Sequence, residues 1–462
     1  MEKFFKLKQH RTNVKTEMVA GATTFFTMAY IIFVNPSILS QTGMSWYGVF
    51  VATIIATVIG TLIMALVANV PYSVAPGMGL NAFFTYTVCF GLGFVWQEAL
   101  AMVFICGLIN ILITVTKVRK IIIKAIPKSL QLAIGGSIGL FIAYIGIKNA
   151  GFLNYLDTVE GLTPGAAIVP ALANFGNIGA VIALSGLVII VVLMLLKVRG
   201  AMLIGIVCAT AIALVSGFVE WPANIFENKI GEVKDVAFAF FGNPGLGSMF
   251  ADASKIFPAI IVIFAFSLTD TFDTVGTFIG TGRRTGIFDD KDEKALSESS
   301  GFKSKMDKAL FADATATSIG ALAGTSNTTT YIESAAGINA GGRTGLTSVF
   351  TALLFVLCLP FAALFGMVPS QATAPALIVV GILMADSFIG IKWNEIEEAV
   401  PAFLTVLIMA FAYNISYGIA AGFIFYCIAK VVKGKAKEVH PIIYATTGLF
   451  LVYFVVLALG VI

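Results

Sequence analysis

Charge is scarce in this chain of 462 residues: only 12% are Asp, Glu, Lys or Arg, about half the share of an average soluble protein. Histidine occurs twice, at His10 and His440, and both flank the apolar blocks, so neither is a candidate buried base. The five cysteines, Cys89, Cys106, Cys208, Cys358 and Cys427, sit in apolar segments without paired spacing. That argues against a disulfide framework and against a zinc site, and they read as small packing residues. No nucleophile–His pair and no metal-ligand cluster falls within the apolar blocks. An enzyme is not expected, nor is a metal or an organic cofactor. The net charge of +4 belongs to basic loops rather than to nucleic-acid binding.

What the chain has is apolar length, with 58% of its residues hydrophobic. A bilayer core of roughly 30 Å needs about 20 apolar residues per helix, and blocks of that size recur along the sequence. They do not alternate with period two, which excludes a β-barrel. The reading is an all-α polytopic membrane protein. Candidate spans run over 18–40, 46–69, 79–92, 98–116, 129–149, 177–196, 200–218, 256–280, 309–325, 333–342, 345–366, 372–391, 398–414 and 416–432. A further apolar stretch at 441–462 is either an extra crossing or a sign that 398–432 is divided wrongly. The polar stretch Met1–Glu17 shows no cleavage signal, so the first span is expected to be retained. Lys3, Lys6, Lys8 and Arg11 place the N-terminus inside, in the cytoplasm. Basic loops at 117–128, 197–199, 283–284 and 430–437 then fall on that same side, and the charged stretch 282–308 reads as a solvated loop.

Two candidates, 79–92 and 333–342, are too short to cross. Each follows a stretch of strand or turn character, Pro71–Pro76 and Ser326–Ile332, rich in residues that favour extended backbone. Non-helical backbone at membrane depth is tolerated only where protein covers it or a cavity adjoins it. Two such breaks at matching places point to a binding site between inverted repeats, here 1–218 and 256–462.

Carboxylates mark the same region. An Asp at a helix centre costs roughly 2.5–3.5 kcal/mol on insertion scales, yet span 256–280 carries both Asp270 and Asp273. Their spacing puts them on one face. Two such groups in an apolar setting would rarely both be ionised, which suits a proton carrier; the alternative is an Asp that binds a neighbouring helix. Glu333 stands where the Thr-rich stretch becomes helix, so it is either a ligand-binding carboxylate favoured by the helix dipole or a plain cap. Asn81 holds the equivalent place in the first half, as a donor and acceptor for a heterocycle edge or as a helix-to-helix hydrogen bond. Asp313 and Asp386 lie near span ends, where charged groups reach the interface, and read as structural.

The stretches Thr24-Phe-Phe-Thr-Met-Ala-Tyr30-Ile-Ile-Phe-Val-Asn35-Pro36, Ala75-Pro-Gly-Met-Gly-Leu-Asn81-Ala-Phe-Phe, Asp270-Thr-Phe-Asp273-Thr-Val-Gly-Thr277 and Gly324-Thr-Ser-Asn-Thr-Thr-Thr-Tyr-Ile-Glu333 occur in this order. Together they resemble the adenine/guanine/hypoxanthine permease family, a branch of the nucleobase–ascorbate transporter superfamily. The resemblance implies about fourteen segments in two inverted seven-segment repeats, with short antiparallel strands in the third and tenth. It implies a core domain of approximately 18–116 plus 256–366, and a gate domain of approximately 129–218 plus 372–462. It also implies proton-coupled uptake of a purine (guanine, hypoxanthine or adenine) across the cell membrane by alternating access. Asp273, Glu333 and Asn81 match its base-binding positions, with Phe83, Phe84 and Phe272 as stacking candidates and Thr277 as a further contact. Asp270 or Asp273 would carry the proton, the coupling ion. The expected partners are a purine nucleobase and the lipid bilayer, with a homodimer left open. The alternative is an anion or carboxylate transporter of the same fold, although no Lys or Arg lies in either broken region before Arg343.

Overall fold

The computed structural model describes residues 2–116, 125–156, 169–173, 175–226, 229–278, 281, 287–288, 292 and 304–458. The basic loop positions 117–124 and 283–284, and most of 282–308, lie outside them. In chain order the main helices are α1 (Val14–Met28), α2 (Ile31–Leu39), α3 (Trp46–Ile63), α4 (Met78–Ala82), α5 (Trp96–Val115), α6 (Lys128–Asn149), α7 (Ile178–Leu195) and α8 (Ala201–Val215). The second half continues with α9 (Ala253–Thr277), α10 (Lys305–Ala323), α11 (Ser334–Asn339), α12 (Gly345–Leu357), α13 (Ser370–Met384), α14 (Ile396–Phe411), α15 (Ile415–Val432) and α16 (Pro441–Ala458). Nine helices among the described residues are long and apolar enough to cross a membrane, and Ala201–Val215 and Pro441–Val455 are shorter apolar helices. The division of 398–432 stands: α14 and α15 are separated at Ala412–Asn414, and α16 is a distinct helix packed on α15 and α9.

Local chemistry sets the helix ends. Asn13 caps α1 by accepting the Thr16 N–H at 3.0 Å. Ser304 and Asp307 exchange hydrogen bonds at the start of α10, and Gly324 ends it at φ 98°, a left-handed conformation that suits glycine. Glu17 works across helices. Fully buried on α1, its carboxylate accepts the N–H groups of Arg343 (3.0 Å) and Thr347 (3.1 Å) and the Thr347 hydroxyl (2.5 Å). A carboxylate thus closes the otherwise unsatisfied N-terminus of α12.

The helices pack as two groups. α1–α5 associate with α9, α10 and α12, while α6, α7 and α8 associate with α13, α14 and α15. Along the seam α4 lies against α6, and a Cβ on Gly79 would meet Ile138 at 2.4 Å. At one end of the seam Tyr86, from the π-helical turns Phe83–Gly91 that extend α4, meets Tyr413 of the α14–α15 link with ring centroids 5.4 Å apart. The Lys148 ammonium, at the end of α6, lies 5.7 Å and 5.5 Å from those two rings.

Two short strands, β1 (Val74–Pro76) and β4 (Thr328–Thr330), pair antiparallel with Val74 opposite Thr330 and Pro76 opposite Thr328. A second pair, β2 (Leu153–Leu156) with β3 (Val169–Leu172), lies between α6 and α7. Close helix contacts brace the first pair. A Cβ on Gly107 of α5 would fall 2.2 Å from Ser318 Oγ of α10, so the two helices touch where no side chain intervenes. Gly107→Val is therefore expected to push α5 off α10 at a cost of about 1–3 kcal/mol. A lowered thermal midpoint of the purified protein would show it, and an unchanged midpoint would deny the contact.

Candidate functional site

The site begins with backbone groups that have no water to bind. Beyond the β1–β4 ladder, the Gly77 N–H bonds Asn327 O (2.9 Å) and the Tyr331 N–H bonds Ser73 O (3.0 Å). Side-chain hydroxyls complete the outer edges. Thr61 Oγ1 accepts the Val74 N–H at 3.0 Å, Ser334 Oγ accepts the Ser73 N–H at 3.1 Å, and Thr317 Oγ1 donates to Thr328 O at 2.8 Å. Tyr331 donates its hydroxyl to Pro76 O at 2.6 Å. Buried polar backbone requires such partners, and at membrane depth only protein can supply them.

Strand alternation then distributes the threonines. Thr330 turns toward α10 and donates to Asp313 Oδ1 at 2.7 Å. Asp313 Oδ2 accepts from Thr274 of α9 at 2.9 Å. Asp313 is only 4% exposed, well inside α10, so its expected place at the membrane interface is wrong. Position along a span misled there, because α10 begins four residues before the assumed boundary and its Ala-rich face is packed by protein on all sides. Asp386 does lie exposed, in the 3₁₀ turn after α13.

Asp270 and Asp273 share a helix but not an environment. Asp270 is 1% exposed and accepts the Asn110 amide at 2.9 Å, while the Thr317 hydroxyl lies 3.3 Å away with its hydrogen directed to Thr328 O. The Asn110 carbonyl in turn accepts from Ser267. Asp270 therefore ties α9 to α5. Asp273 is exposed, although protein surrounds it closely, so its free surface lies in an internal crevice. Its one protein donor is Thr329 Oγ1, at 3.5 Å. Thr329 also lies 2.9 Å from Thr274 Oγ1, whose own hydrogen goes to Asp313. A hydroxyl carries one hydrogen, and Thr274 takes it, so Asp273 is left almost without a protein partner.

Glu333 is the residue before α11 and does not cap its own helix. Its Oε1 accepts the hydroxyl of the buried Tyr30, from the α1–α2 break, at 2.5 Å. It is half-buried and close enough to Asp273 for the two charges to interact. These two carboxylates are the predicted pair that the structure brings together.

The remaining predicted residues sit differently. Asn81 is fully buried, donates to Asn35 Oδ1 at 3.2 Å, and leaves its own carbonyl oxygen without a partner. Phe83 and Phe84 are fully buried, and Phe83 packs edge-on to Phe266 at 4.7 Å, so neither ring presents a free face in this conformation. Phe272, beside Asp273, is half-buried. Thr277 lies one turn beyond Asp273 and its carbonyl accepts the Thr281 hydroxyl at 2.6 Å. Sequence reasoning passed over Tyr30, Asn110 and Thr274. Asn110 was detectable as a lone amide in an apolar span, whereas Thr274 acquires its role only through the fold.

The chain matches the model of a permease family over residues 15–421. It is 38% identical to the guanine/hypoxanthine permease PbuG of Bacillus subtilis (strain 168), covering 99% of this chain and all of that protein. It is 37% identical to the adenine permease AdeP of Escherichia coli (strain K12), covering 98% of this chain and 96% of that protein. Among solved structures, the transmembrane domain of a cyanobacterium bicarbonate transporter, BicA, superposes with a TM-score of 0.63 at 16% identity, over 89% of this chain and 97% of that one. That likeness is one of fold.

The carboxylates should separate by stability. Asp313→Ala strands the Thr330 hydroxyl and leaves Thr274 only Thr329 to donate to, a loss of about 1–3 kcal/mol for the group left unsatisfied. Asp273→Ala strands nothing comparable. Thermal unfolding in detergent is expected to show a lowered midpoint for the first variant and an unchanged one for the second.

Proposed function

The chain belongs to the nucleobase–ascorbate permease family, among the adenine/guanine/hypoxanthine permeases, and from that membership we propose that it carries purine bases with protons by alternating access. The observation that carries the site assignment is the state of Asp273: an accessible carboxylate on α9 beside the β4 strand, with one long protein contact. Such a group needs a donor from elsewhere, and the N–H edge of a purine supplies it. Glu333, oriented by Tyr30, accepts a second N–H, while the strand backbone beside it reads the remaining ring atoms. Phe272, half-buried and next to Asp273 in sequence, is the aromatic assigned to cover the ring. Asn81 contributes through its unpartnered oxygen. Guanine and hypoxanthine are the first choices and adenine the next, in line with what the relatives' names say they carry.

Proton coupling is assigned to the carboxylates of α9. A neutral Asp273 presents a donor as well as an acceptor, so proton and base bind as a unit. Asp270, held by Asn110, steadies the helix or passes the proton inward. In this reading α1–α5 with α9, α10 and α12 form the core, and the other packed group forms the gate. About fourteen segments make two inverted repeats in the cell membrane, with the N-terminus cytoplasmic. The division of the helices into two packed groups supports it. The Tyr86–Tyr413–Lys148 contact would be the closed end of the access path. An anion carrier of the same fold is less favoured, because carboxylates gather near Asp273 and no cation is found there among the described residues.

Uptake of radiolabelled guanine, hypoxanthine and adenine into cells lacking their own purine permeases is the direct test. Accumulation should collapse on adding a protonophore. Asp273→Asn and Glu333→Gln are expected to abolish uptake while the protein stays in the membrane, and normal transport by Glu333→Gln would sink the assignment. Tyr30→Phe should weaken base binding without preventing insertion, read as a raised KM.

A further inference from the structure

A chain of hydroxyls leads from the crevice into the packed core. Thr274 follows Asp273 on α9, and Thr329 lies on β4 opposite Ala75. Both are buried, as are Thr330 and Asp313. Thr274 Oγ1 donates to Asp313 Oδ2 at 2.9 Å, which uses the only hydrogen that hydroxyl has. The 2.9 Å bond between Thr274 and Thr329 is therefore donated by Thr329. Asp273 Oδ2 lies 3.5 Å from Thr329 Oγ1, whose hydrogen points away from it. The chain is thus polarised from Thr329 through Thr274 to Asp313, with Asp273 at its open end.

Asp270 has no such chain. Thr317 gives its hydrogen to Thr328 O, and the donor from Asn110 is an amide, which holds its protons too tightly to pass one on. The other titratable groups in electrostatic reach divide between the two ends. Asp270 and Cys106 act on the Asp313 side, and Glu333, Tyr30 and Tyr331 on the Asp273 side. The hydroxyl path therefore joins one carboxylate at the crevice to one sealed inside the protein.

We propose that Thr329 and Thr274 relay the coupling proton from Asp273 to Asp313, which stores it while the base crosses. This rests on the proposed function and names the path of its proton. A protonated Asp273 has a hydrogen to give, and the nearest hydroxyl oxygen is that of Thr329. As that O–H bond breaks, one forms on Thr329. Thr329 passes its own hydrogen to Thr274, and Thr274 passes its own to Asp313. Each hydroxyl gains one proton and loses one, so Asp273 ends ionised and Asp313 neutral. The hydrogen bonds then run the opposite way, and Asp273 receives the Thr329 hydrogen as its charge returns. The crevice keeps an acceptor for the base while the proton sits out of its reach. Release reverses the steps. Asp313 also accepts from Thr330, so its protonation is felt on the strand beside the base.

The full chain is reconstituted in liposomes and supplied with labelled guanine, hypoxanthine or adenine. Accumulation is driven by a pH gradient, exchange is driven by unlabelled base inside, and an entrapped dye reports proton entry. Thr329→Val and Thr274→Val keep the side-chain shape but remove the relaying oxygen, and Thr329→Ser and Thr274→Ser restore it. Both Val variants are expected to lose gradient-driven accumulation and base-dependent proton entry at least about tenfold, with exchange retained and both losses reversed by Ser. Thr329→Val leaves the Thr274–Asp313 bond in place, so it carries the comparison if Thr274→Val does not fold. Exchange that falls together with accumulation, or Ser variants that stay inactive, gives the threonines a structural role and overturns the relay. Gradient-driven accumulation that survives in the Val variants also overturns it and leaves the proposed function standing. Wild-type protein that accumulates no base, or does so without regard to the gradient, defeats the proposed function and the relay with it.

Discussion

Unpaired backbone in a water-free layer is the constraint on which the rest of this structure depends. Helices solve it internally, but the two three-residue strands cannot. Each pairs with the other, and the edges left over are met by Thr61, Thr317, Ser334 and Tyr331. These partners come from α3, α10, α11 and β4's own continuation, so satisfying six backbone residues fixes how four parts of the chain sit. The polar belt exists first to make irregular backbone tolerable. The crevice is what that belt leaves open.

The four acidic residues of the belt are sorted by the number of donors the fold gives them. Asp313 receives two hydroxyls and Asp270 one amide, and each thereby holds neighbouring elements together. Glu333 receives one phenol. Asp273 receives a contact too long to count for much. Sequence position alone would not rank them, since all four lie in apolar segments. Their hydrogen-bond partners do, and the ranking separates carboxylates that serve the fold from those free to serve a ligand.

The sequence made the class, most helix positions and the two broken regions legible, because each rests on a local signal: apolar length, Thr-rich extended backbone, Gly and Pro punctuation. Asp273 and Glu333 were legible as charges in the wrong solvent. What stayed hidden was relational. Asp313 looked peripheral because its span boundary was drawn from hydropathy, and the polar first turns of α10 hid four residues of helix. Asp270 looked equivalent to Asp273 because helical spacing gives a shared face but says nothing of which neighbour carries Asn110. Phe83 and Phe84 looked available for stacking because the sequence does not show that Phe266 packs against the first ring. Tyr30 sat inside a quoted motif without a role, since its partner lies three hundred residues away.

The pairing of β1 with β4 also orders events in time. The strand around Val74 is made and inserted long before the one around Thr330, yet neither can rest unpaired at membrane depth. Until the second half arrives, the Val74 and Ser73 amides depend on Thr61 and on whatever the insertion machinery offers. The crevice thus forms only after the second half has been made, and its ability to hold a ligand reports that both halves have entered the bilayer and found each other.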